Sequence, residues 1–376
     1  MVHIPYGKQS IAGDDINDTI TALKSDYLTT GPRIKEFEAK IAEYCGSKYC
    51  VVVSSGTSAL HLSSLAILKK GDKVLTTPNS FLATSNSILY VGAVPQFVDI
   101  ASDGNIDLDA CEKLIKNDPS IKAIYGVAFS GKMLEQDKLK KIRDKYGIAI
   151  LEDCCHAFGS TFKQVKAGSC RNSDISIFSF HPVKHITTGE GGAITTNSEE
   201  IYKKLISLRS HGIIKDNKMK PWEYHMIDLG YNYRITDFQC ALGMSQLNKS
   251  DVFIKKRRAI AKKYSEAFKN TLVRPLYDYS PSCSSYHLYV VKVDFSKISC
   301  TREDLFNKFK SLGIGLQVHH MPINKQPYYR NLGYGLEETP NMDQYYEQCF
   351  SLPIYPDLTS QQQQYVIDNL IRIINE

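Results

Sequence analysis

A lysine in a loop rich in glycine and threonine is the residue of this sequence best suited to covalent chemistry. The stretch ISIFSFHPVKHITTGEGGAITT, residues 175–196, reads as a buried strand, a turn containing Lys184 and a second short strand. A lysine just beyond a strand end is partly desolvated, which lowers its pKa and frees the amine to attack a carbonyl carbon. Most lysines are solvated surface charges, so position alone leaves both roles open for Lys184.

Three other segments place complementary groups after predicted strands. The run SSGTS, residues 54–58, joins a strand to a helix, where small residues and free N–H groups favour an anion. Asp153 ends a very apolar strand, and a carboxylate there is costly unless it pairs with a cation. Phe81 lies at a loop–helix junction and can stack on a flat heterocycle. Each has an ordinary alternative. The SSGTS run could be an ordinary N-cap turn, and Asp153 could be a helix cap or part of a local ion pair. His156 could be a structural histidine, and Phe81 could be a core residue.

Taken together, these segments provide an anion cradle, a buried carboxylate, a stacking ring and a loop lysine. Pyridoxal phosphate requires the same four features, for its phosphate, ring nitrogen, ring face and aldehyde. The order of the segments along the chain, and their placement after strands, therefore indicate a pyridoxal phosphate site.

The elements that must position these residues follow a strand–helix rhythm. Short apolar runs at Tyr49–Val53, Lys73–Thr76, 95–99, 123–128 and 148–151 alternate with helical patterns. This alternation predicts an α/β fold with a mainly parallel central sheet flanked by helices. Ligands bind such sheets beyond the carboxyl ends of the strands, where the four features would converge.

The pattern changes beyond a long helical segment predicted at 236–268. Strands at 287–293 and 315–319, a helix at 302–312 and a closing helix from Ser360 predict a smaller α+β unit. We therefore predict a large α/β domain with an N-terminal arm at residues 1–245, and a small C-terminal α+β domain at residues 246–376.

Composition excludes several classes of protein. The 376 residues have a formal net charge of +6, but the basic residues are scattered among acidic ones, so we expect no nucleic-acid partner. The ten cysteines include no Cys-x-x-Cys pair, so we expect neither a metal site nor a disulfide framework. No apolar run of membrane-spanning length and no apolar signal segment occurs, so we expect a cytoplasmic protein without a membrane partner.

Several stretches resemble the sugar aminotransferases of the DegT/DnrJ/EryC1/StrS family. The similarity runs from IPYGKQSI to the final helix and is most specific in SSGTSALHL, SFLATSN, EDCCHAFGS, SFHPVKHITTGEGGA, LRSHGI and LGYNYRITDFQCALG. The resemblance implies a fold type I pyridoxal-phosphate-dependent transferase. It also implies an obligate homodimer with shared active sites.

The resemblance further implies a role for each matching position. Lys184 would bind the cofactor aldehyde covalently, Asp153 would pair with the pyridine nitrogen, and His156 would approach the ring hydroxyl. Phe81 would stack on the ring. The phosphate would be held by residues of both subunits: Gly56, Thr57, Ser179 and, from the neighbouring subunit, Asn232. Tyr6, His181 and His319 are candidate contacts to the sugar substrate, and each could instead be structural.

Within the family, the stretches SDGNID, WEYHMIDLGYNYR, HLYVVKV, LGIGLQVHHMPINKQPYYR and SLPIYP most resemble the transaminases of the pseudaminic acid pathway. The implied reaction transfers the amino group of L-glutamate to C4 of a UDP-linked 4-keto-6-deoxy-N-acetylhexosamine. Two departures are the pair Cys154–Cys155, where small residues are usual, and His320, where an aromatic is common. Alternatives are another nucleotide 4-keto-6-deoxy sugar (perosamine, viosamine or bacillosamine type), a sugar dehydratase, or a non-catalytic family member.

Overall fold

The computed structural model describes residues 3–216 and 218–376. The helices are α1 (Gly13–Leu23), α2 (Pro32–Cys45), α3 (Gly56–Ile67), α4 (Leu82–Tyr90), α5 (Leu108–Asn117), α6 (Gln136–Tyr146), α7 (Glu199–Arg209), α8 (Asp237–Asn248), α9 (Ser250–Ala267), α10 (Arg302–Ser311), α11 (Pro327–Asn331), α12 (Pro340–Gln348) and α13 (Ser360–Asn375). The strands are β1 (Tyr49–Val53), β2 (Lys73–Thr76), β3 (Val94–Phe97), β4 (Ile121–Val127), β5 (Ala149–Asp153), β6 (Thr161–Phe162), β7 (Val165–Lys166), β8 (Ile175–Ser179), β9 (Gly192–Thr196), β10 (Ile213–Ile214), β11 (His225–Met226), β12 (Arg274–Pro275), β13 (Tyr289–Lys292) and β14 (Cys349–Leu352).

Within these described residues, the central sheet has the strand order β1-β9-β8-β5-β4-β2-β3. Strand β9 runs antiparallel to both of its neighbours, whereas the pairs from β8 through to β3 are parallel. The carboxyl ends of β1, β2, β4, β5 and β8 therefore share one edge. The predicted α/β architecture, with a mainly parallel central sheet flanked by helices, is confirmed.

Alternate residues of the central strands pack into different cores, as the two-residue period of a strand requires. Val51 and Ile177 lie in one buried cluster, on one face of the sheet. Val52 and Phe178 lie in a second buried cluster, on the other face. Fully burying each such side chain contributes roughly 1.5–3 kcal/mol of stability. Because helices cover both faces, the strands are packed on both sides, and the sheet is a rigid support for the loops at its edge.

The C-terminal part of the chain has its own sheet and core. Strands β12, β13 and β14 form an antiparallel sheet, and α9, α10 and α13 contribute side chains to the adjoining buried cluster. Ile4 joins this cluster, because its backbone N–H donates to Gly313 and its carbonyl accepts from Gly315. The predicted division between residues 245 and 246 falls inside α8 and stays a proposal.

Two predicted elements differ from the structure, and some observed helices were not predicted. The helical segment at 236–268 is two helices, which meet at Lys249. Residues 315–319 form no strand, because Ile314 bridges to Ile4 while Gln317 bridges to Ser351, so no single partner extends the pairing. The helices α5 and α7 were not predicted, although their N-caps, Asp107 and Ser198, are typical helix starts.

None of the helices in the described ranges is both long and apolar enough to cross a membrane.

Candidate active site

A cleft of about 410 Å³ opens at the carboxyl edge of the central sheet. The sheet side supplies the loops after β1, β2, β5 and β8, and the C-terminal part of the chain supplies His287, His319 and His320. Ten of the eleven predicted site residues line this cleft: Tyr6, Gly56, Thr57, Phe81, Asp153, His156, Ser179, His181, Lys184 and His319. A larger cavity of about 630 Å³, between α2, β1 and α7, is lined by none of them.

Lys184 is held within this cleft by the turn after β8. Its backbone N–H donates to the carbonyl of His181 at 2.9 Å, which closes the turn. Burial lowers the pKa of the Lys184 amine, and the nearby Arg257 guanidinium acts in the same direction, while Cys155 and Asp153 oppose them. A lowered pKa leaves more of the amine neutral at a given pH, so Lys184 is suited to attack a carbonyl carbon or to accept a proton.

Asp153 is the last residue of β5, and only 5% of its surface is exposed. One carboxylate oxygen accepts a hydrogen bond from the Thr84 hydroxyl at 2.6 Å, and the other accepts from the Cys155 backbone N–H at 3.0 Å. Within the described residues, no lysine, arginine or histidine forms an ion pair with it. A buried carboxylate without a cationic partner is costly, so this geometry calls for a positively charged ligand group.

The start of α3 forms the predicted anion cradle. The Ser55 hydroxyl caps the helix by accepting from the Ser58 N–H at 3.0 Å. The backbone N–H groups of Gly56 and Thr57 have no acceptor among residues 3–216 and 218–376. A Cβ added to Gly56 would lie 2.9 Å from the Cβ of Ser179, so glycine keeps this space open. Free N–H groups beside a small space and the Ser179 hydroxyl suit a phosphate.

Besides His181, four histidines line the cleft, His156, His287, His319 and His320, and the ring of a further one, His185, lies 5.6 Å from that of His287. The His156 ring lies 4.3 Å from His287 and 6.2 Å from His320, and its Nδ1 has no hydrogen-bond partner in the described structure. Burial lowers the pKa of His156 well below its usual value, and the positive charge of Lys184 adds to this. His156 is therefore a neutral imidazole with one nitrogen available to a ligand.

The predicted ring-stacking and substrate residues also line the cleft, Phe81 and His181 with exposed side chains and His319 with a buried one. Phe81 is 62% exposed and precedes α4, so its ring is not part of a core. Tyr6 and His319 pack together with ring centres 5.6 Å apart, and Nδ1 of His319 contacts the Ser351 hydroxyl at 2.8 Å. His181 is exposed at the rim. These residues leave apolar and hydrogen-bonding surface facing the open space.

Known proteins resemble this chain along almost its whole length. A model of the DegT/DnrJ/EryC1/StrS aminotransferase family matches residues 9–371. This chain belongs to that family. A Campylobacter jejuni protein named UDP-4-amino-4,6-dideoxy-N-acetyl-beta-L-altrosamine transaminase is 41% identical over 375 residues, which cover 99% of this chain and 98% of that protein.

Solved structures agree with this membership. Helicobacter pylori PseC, described as an aminotransferase involved in the biosynthesis of pseudoaminic acid, has a TM-score of 0.92 at 32% identity, with all of both chains covered. The PLP form of a putative sugar aminotransferase from Streptococcus pneumoniae has a TM-score of 0.91 at 28% identity, covering 100% of this chain and 99% of that chain. The predicted family, the fold type I architecture and the aminotransferase class are confirmed.

Asn232 is the predicted residue that the structure does not bring into the cleft of its own chain. It is exposed and forms an isolated β-bridge with Ser210. The carbonyl of the next residue, Tyr233, accepts a hydrogen bond from the Ser54 N–H at 2.9 Å. In this family member, a role for Asn232 in phosphate binding therefore requires that it reach a second chain.

Sequence reasoning missed Thr84, Cys155 and His287, all of which line the cleft. Thr84 follows Phe81 by three residues, so helical spacing could have placed both near the site. Cys155 belongs to the EDCCH segment, but only the fold shows that its side chain lines the cleft. His287 comes from the small domain, and no local pattern connects it to Lys184.

Proposed function

We propose that this chain is a pyridoxal-phosphate-dependent transaminase that moves the amino group of L-glutamate to C4 of a UDP-linked 4-keto-6-deoxy-N-acetylhexosamine. The product would be UDP-4-amino-4,6-dideoxy-N-acetyl-β-L-altrosamine, a precursor of pseudaminic acid. Relatives that carry this transaminase name and match the chain from end to end support the reaction. The carrying observation is the buried carboxylate of Asp153, which forms no ion pair within the described residues and lies in the same cleft as Lys184.

The residues present fit pyridoxal 5′-phosphate. Gly56, Thr57 and Ser179 would hold the phosphate, and Asp153 would pair with the protonated ring nitrogen. The unpartnered Nδ1 of His156 would meet the ring hydroxyl, Phe81 would cover the ring face, and Lys184 would hold the aldehyde carbon covalently. When bound, the cofactor supplies an electron-withdrawing ring that stabilises negative charge developing at a substrate carbon.

Each half of the reaction then depends on what these side chains do. The Lys184 amine, whose pKa burial lowers, would take the proton from Cα of glutamate and pass it to the cofactor, and in the second half it would carry a proton from the cofactor to C4 of the sugar. The Asp153 carboxyl group, fixed by Thr84 and the Cys155 N–H, would pair with the positive charge on the ring nitrogen. The neutral histidines around Lys184 add no positive charge that would compete for this carboxylate.

We further propose a homodimer with shared active sites, in which Asn232 of each chain completes the cleft of the other. Apolar side chains close to Asn232 in sequence support this: Trp222, Met226, Ile227 and Leu229 are 58–76% exposed. Such a patch on a folded chain marks an interaction surface, and a second copy would bring Asn232 with it.

We place the enzyme in the cytoplasm. All ten cysteines are free thiols, and eight of them are buried. Unpaired thiols in this number suit a reducing compartment.

A substrate panel tests the sugar. Purified enzyme with glutamate is offered a set of UDP- and TDP-linked 4-keto-6-deoxy sugars, and each product is characterised by NMR. We expect strong preference for the UDP-linked N-acetylated sugar. The NMR spectrum of the product should show the C4 configuration of the altro sugar. Equal turnover across the panel would defeat this assignment, whereas preference for another sugar would favour a perosamine-, viosamine- or bacillosamine-type substrate.

Substitution of Lys184 tests the enzyme class. Lys184→Ala should lose the visible absorbance band of the bound cofactor and at least about 10³-fold in transamination rate, since it removes both the covalent link and the base. The exposed Lys203→Ala is the matched control and should retain both. An unchanged spectrum in Lys184→Ala would mean that another lysine binds the cofactor or that the chain is a non-catalytic family member.

A further inference from the structure

The carboxylate of Asp153 ends a chain of hydroxyl groups that starts beside Phe81. The Thr84 hydroxyl lies 2.6 Å from one carboxylate oxygen, and the Ser80 hydroxyl lies 2.8 Å from the Thr84 hydroxyl. All three residues are at least 95% buried. Solvent therefore does not compete for these bonds.

The direction of the protons in this chain follows from valence. An ionised carboxylate only accepts hydrogen bonds, and each hydroxyl has one proton to donate. Thr84 must therefore donate to Asp153, and Ser80 must donate to Thr84. The Ser80 hydroxyl also donates to the Phe81 carbonyl at 3.0 Å, so its single proton is shared between this carbonyl and the Thr84 hydroxyl. Thr84 is thus the direct donor to the carboxylate, and Ser80 supports it more weakly from behind.

The same helix turn also sets the position of Phe81. Phe81 is the N-cap residue of α4 and Thr84 lies in its first turn, so the bond from Thr84 to Asp153 ties this helix start to the end of β5. The two residues that would face the ring nitrogen and the ring surface are thereby held by one rigid segment. The Cys155 N–H, on the other carboxylate oxygen, restrains rotation of the carboxyl group.

We propose that Thr84 is a positioning residue for the cofactor, which orients the ionised Asp153 carboxylate towards the pyridine nitrogen, with Ser80 as the second donor. This inference rests on the proposed function only in its choice of cofactor and does not depend on the sugar. Thr84 lines the cleft, and its proposed role is exerted through the hydrogen bond to Asp153.

The test compares Thr84→Val, which keeps the shape and removes the hydroxyl, with Thr84→Ser, which restores it. Pyridoxal phosphate is titrated into cofactor-free protein of the full chain, and the dissociation constant is read from absorbance at several pH values. We expect Thr84→Val to weaken binding by about 10- to 100-fold, the value of a hydrogen bond to a charged group, and to change the pH dependence of the spectrum. Thr84→Ser should bind within about threefold of the wild type.

Thr76→Val is the matched control, because Thr76 is equally buried and its hydroxyl donates to the carbonyl of Tyr125 rather than to Asp153. It should lose thermal stability without losing cofactor affinity. If Thr84→Val does not fold, Ser80→Ala removes the outer donor and should weaken binding by a smaller factor of about three.

Three outcomes overturn this inference. Wild-type affinity and spectrum in Thr84→Val would show that the bond from Thr84 to Asp153 has only a structural role. If Thr84→Val does not fold, wild-type binding in Ser80→Ala would show the same. Equal losses of affinity in Thr84→Val and Thr76→Val would mean general destabilisation. Failure of the wild-type chain to bind pyridoxal phosphate would instead remove the proposed function as well, so the two failures are distinguishable.

Discussion

The imidazole rings of His156 and His287 are centred 4.3 Å apart, at an interplanar angle of 40°. Two protonated rings at this distance would repel each other, and both belong to a buried group that includes Lys184 and Arg257. Burial is the largest cause that lowers the pKa of each histidine, and neighbouring positive charges add to it. The geometry therefore requires a cluster of neutral histidines.

This cluster predicts loss of stability in mild acid. The pKa values of the buried histidines lie well below the usual 6.5, with that of His319 lowered to about 3. As pH falls below about 6.5, the unfolded chain binds protons that the folded chain refuses, so the free energy of unfolding decreases. Each histidine contributes up to about 1.4 kcal/mol per pH unit. Glu38 and Glu152, whose pKa values burial raises, act in the opposite direction but are fewer.

The measurement is the melting temperature between pH 8 and pH 5. It should fall steeply below pH 6.5. His185→Asn should make this fall less steep, because the variant has one fewer histidine that binds a proton only in the unfolded chain. His3→Gln is the control, since His3 is exposed and its substitution should leave the slope unchanged. A melting temperature that stays level to pH 5 would contradict the neutral cluster.

Gly56→Ala should block the anion cradle. The added Cβ would lie 2.9 Å from the Cβ of Ser179 and 3.2 Å from its Oγ, so either β8 or the start of α3 must move. Overpacking of this kind costs about 1–3 kcal/mol of folding stability. Because the added methyl group also displaces the free N–H groups, affinity for pyridoxal phosphate should fall by at least about tenfold, or about 1.4 kcal/mol of binding free energy. Gly13→Ala, with no atom within 4 Å of its added Cβ, should bind the cofactor normally. Similar affinities for the two variants would exclude Gly56 from the phosphate site.

Arg209→Ala should destabilise the edge of the central sheet. The Arg209 guanidinium donates to Glu38 at 2.6 Å and to the carbonyl of Val52 at 2.8 Å, while Glu38 also accepts from the Val52 N–H. Only 13% and 10% of the two charged side chains are exposed. Removing Arg209 leaves a buried, unpaired carboxylate, so we expect a loss of about 3–5 kcal/mol in urea unfolding.

A surface pair provides the comparison for Arg209. Lys203 and Glu199 are both more than 60% exposed, so Lys203→Ala should cost less than about 1 kcal/mol in the same experiment. Equal losses of unfolding free energy for the two substitutions would mean that the Arg209–Glu38 pair, which links α2, β1 and α7, stabilises the fold no more than a solvated ion pair does.

Complementation between two inactive chains tests the shared active site. Lys184→Ala and Asn232→Ala damage different components of each site if Asn232 acts in the partner chain. Mixed dimers then contain one intact site, and a random mixture should regain about one quarter of wild-type activity. A mixture of Lys184→Ala with Asp153→Ala is the control and should regain none, because both residues belong to the same cleft. Absence of recovery in the first mixture would place Asn232 outside the partner's site.

The amino-acid sequence determined the local elements and the identities of the reactive residues. Strands at Tyr49–Val53 and Lys73–Thr76 were predicted with their observed bounds, because short apolar runs between turns specify a buried strand. The strand that ends at Asp153 and the loop containing Lys184 were predictable for the same reason, and their order along the chain pointed to one edge of the sheet.

Only the tertiary structure decided which distant side chains meet. Thr84 and Asp153 are 69 positions apart, and Glu38 and Arg209 are 171 apart, so no local pattern pairs them. The gathering of His287, His319 and His320 around Lys184 depends on how the small domain packs against the sheet. Periodicity reports which face of an element is buried, whereas contacts between elements depend on strand order and packing, which nearby residues do not encode.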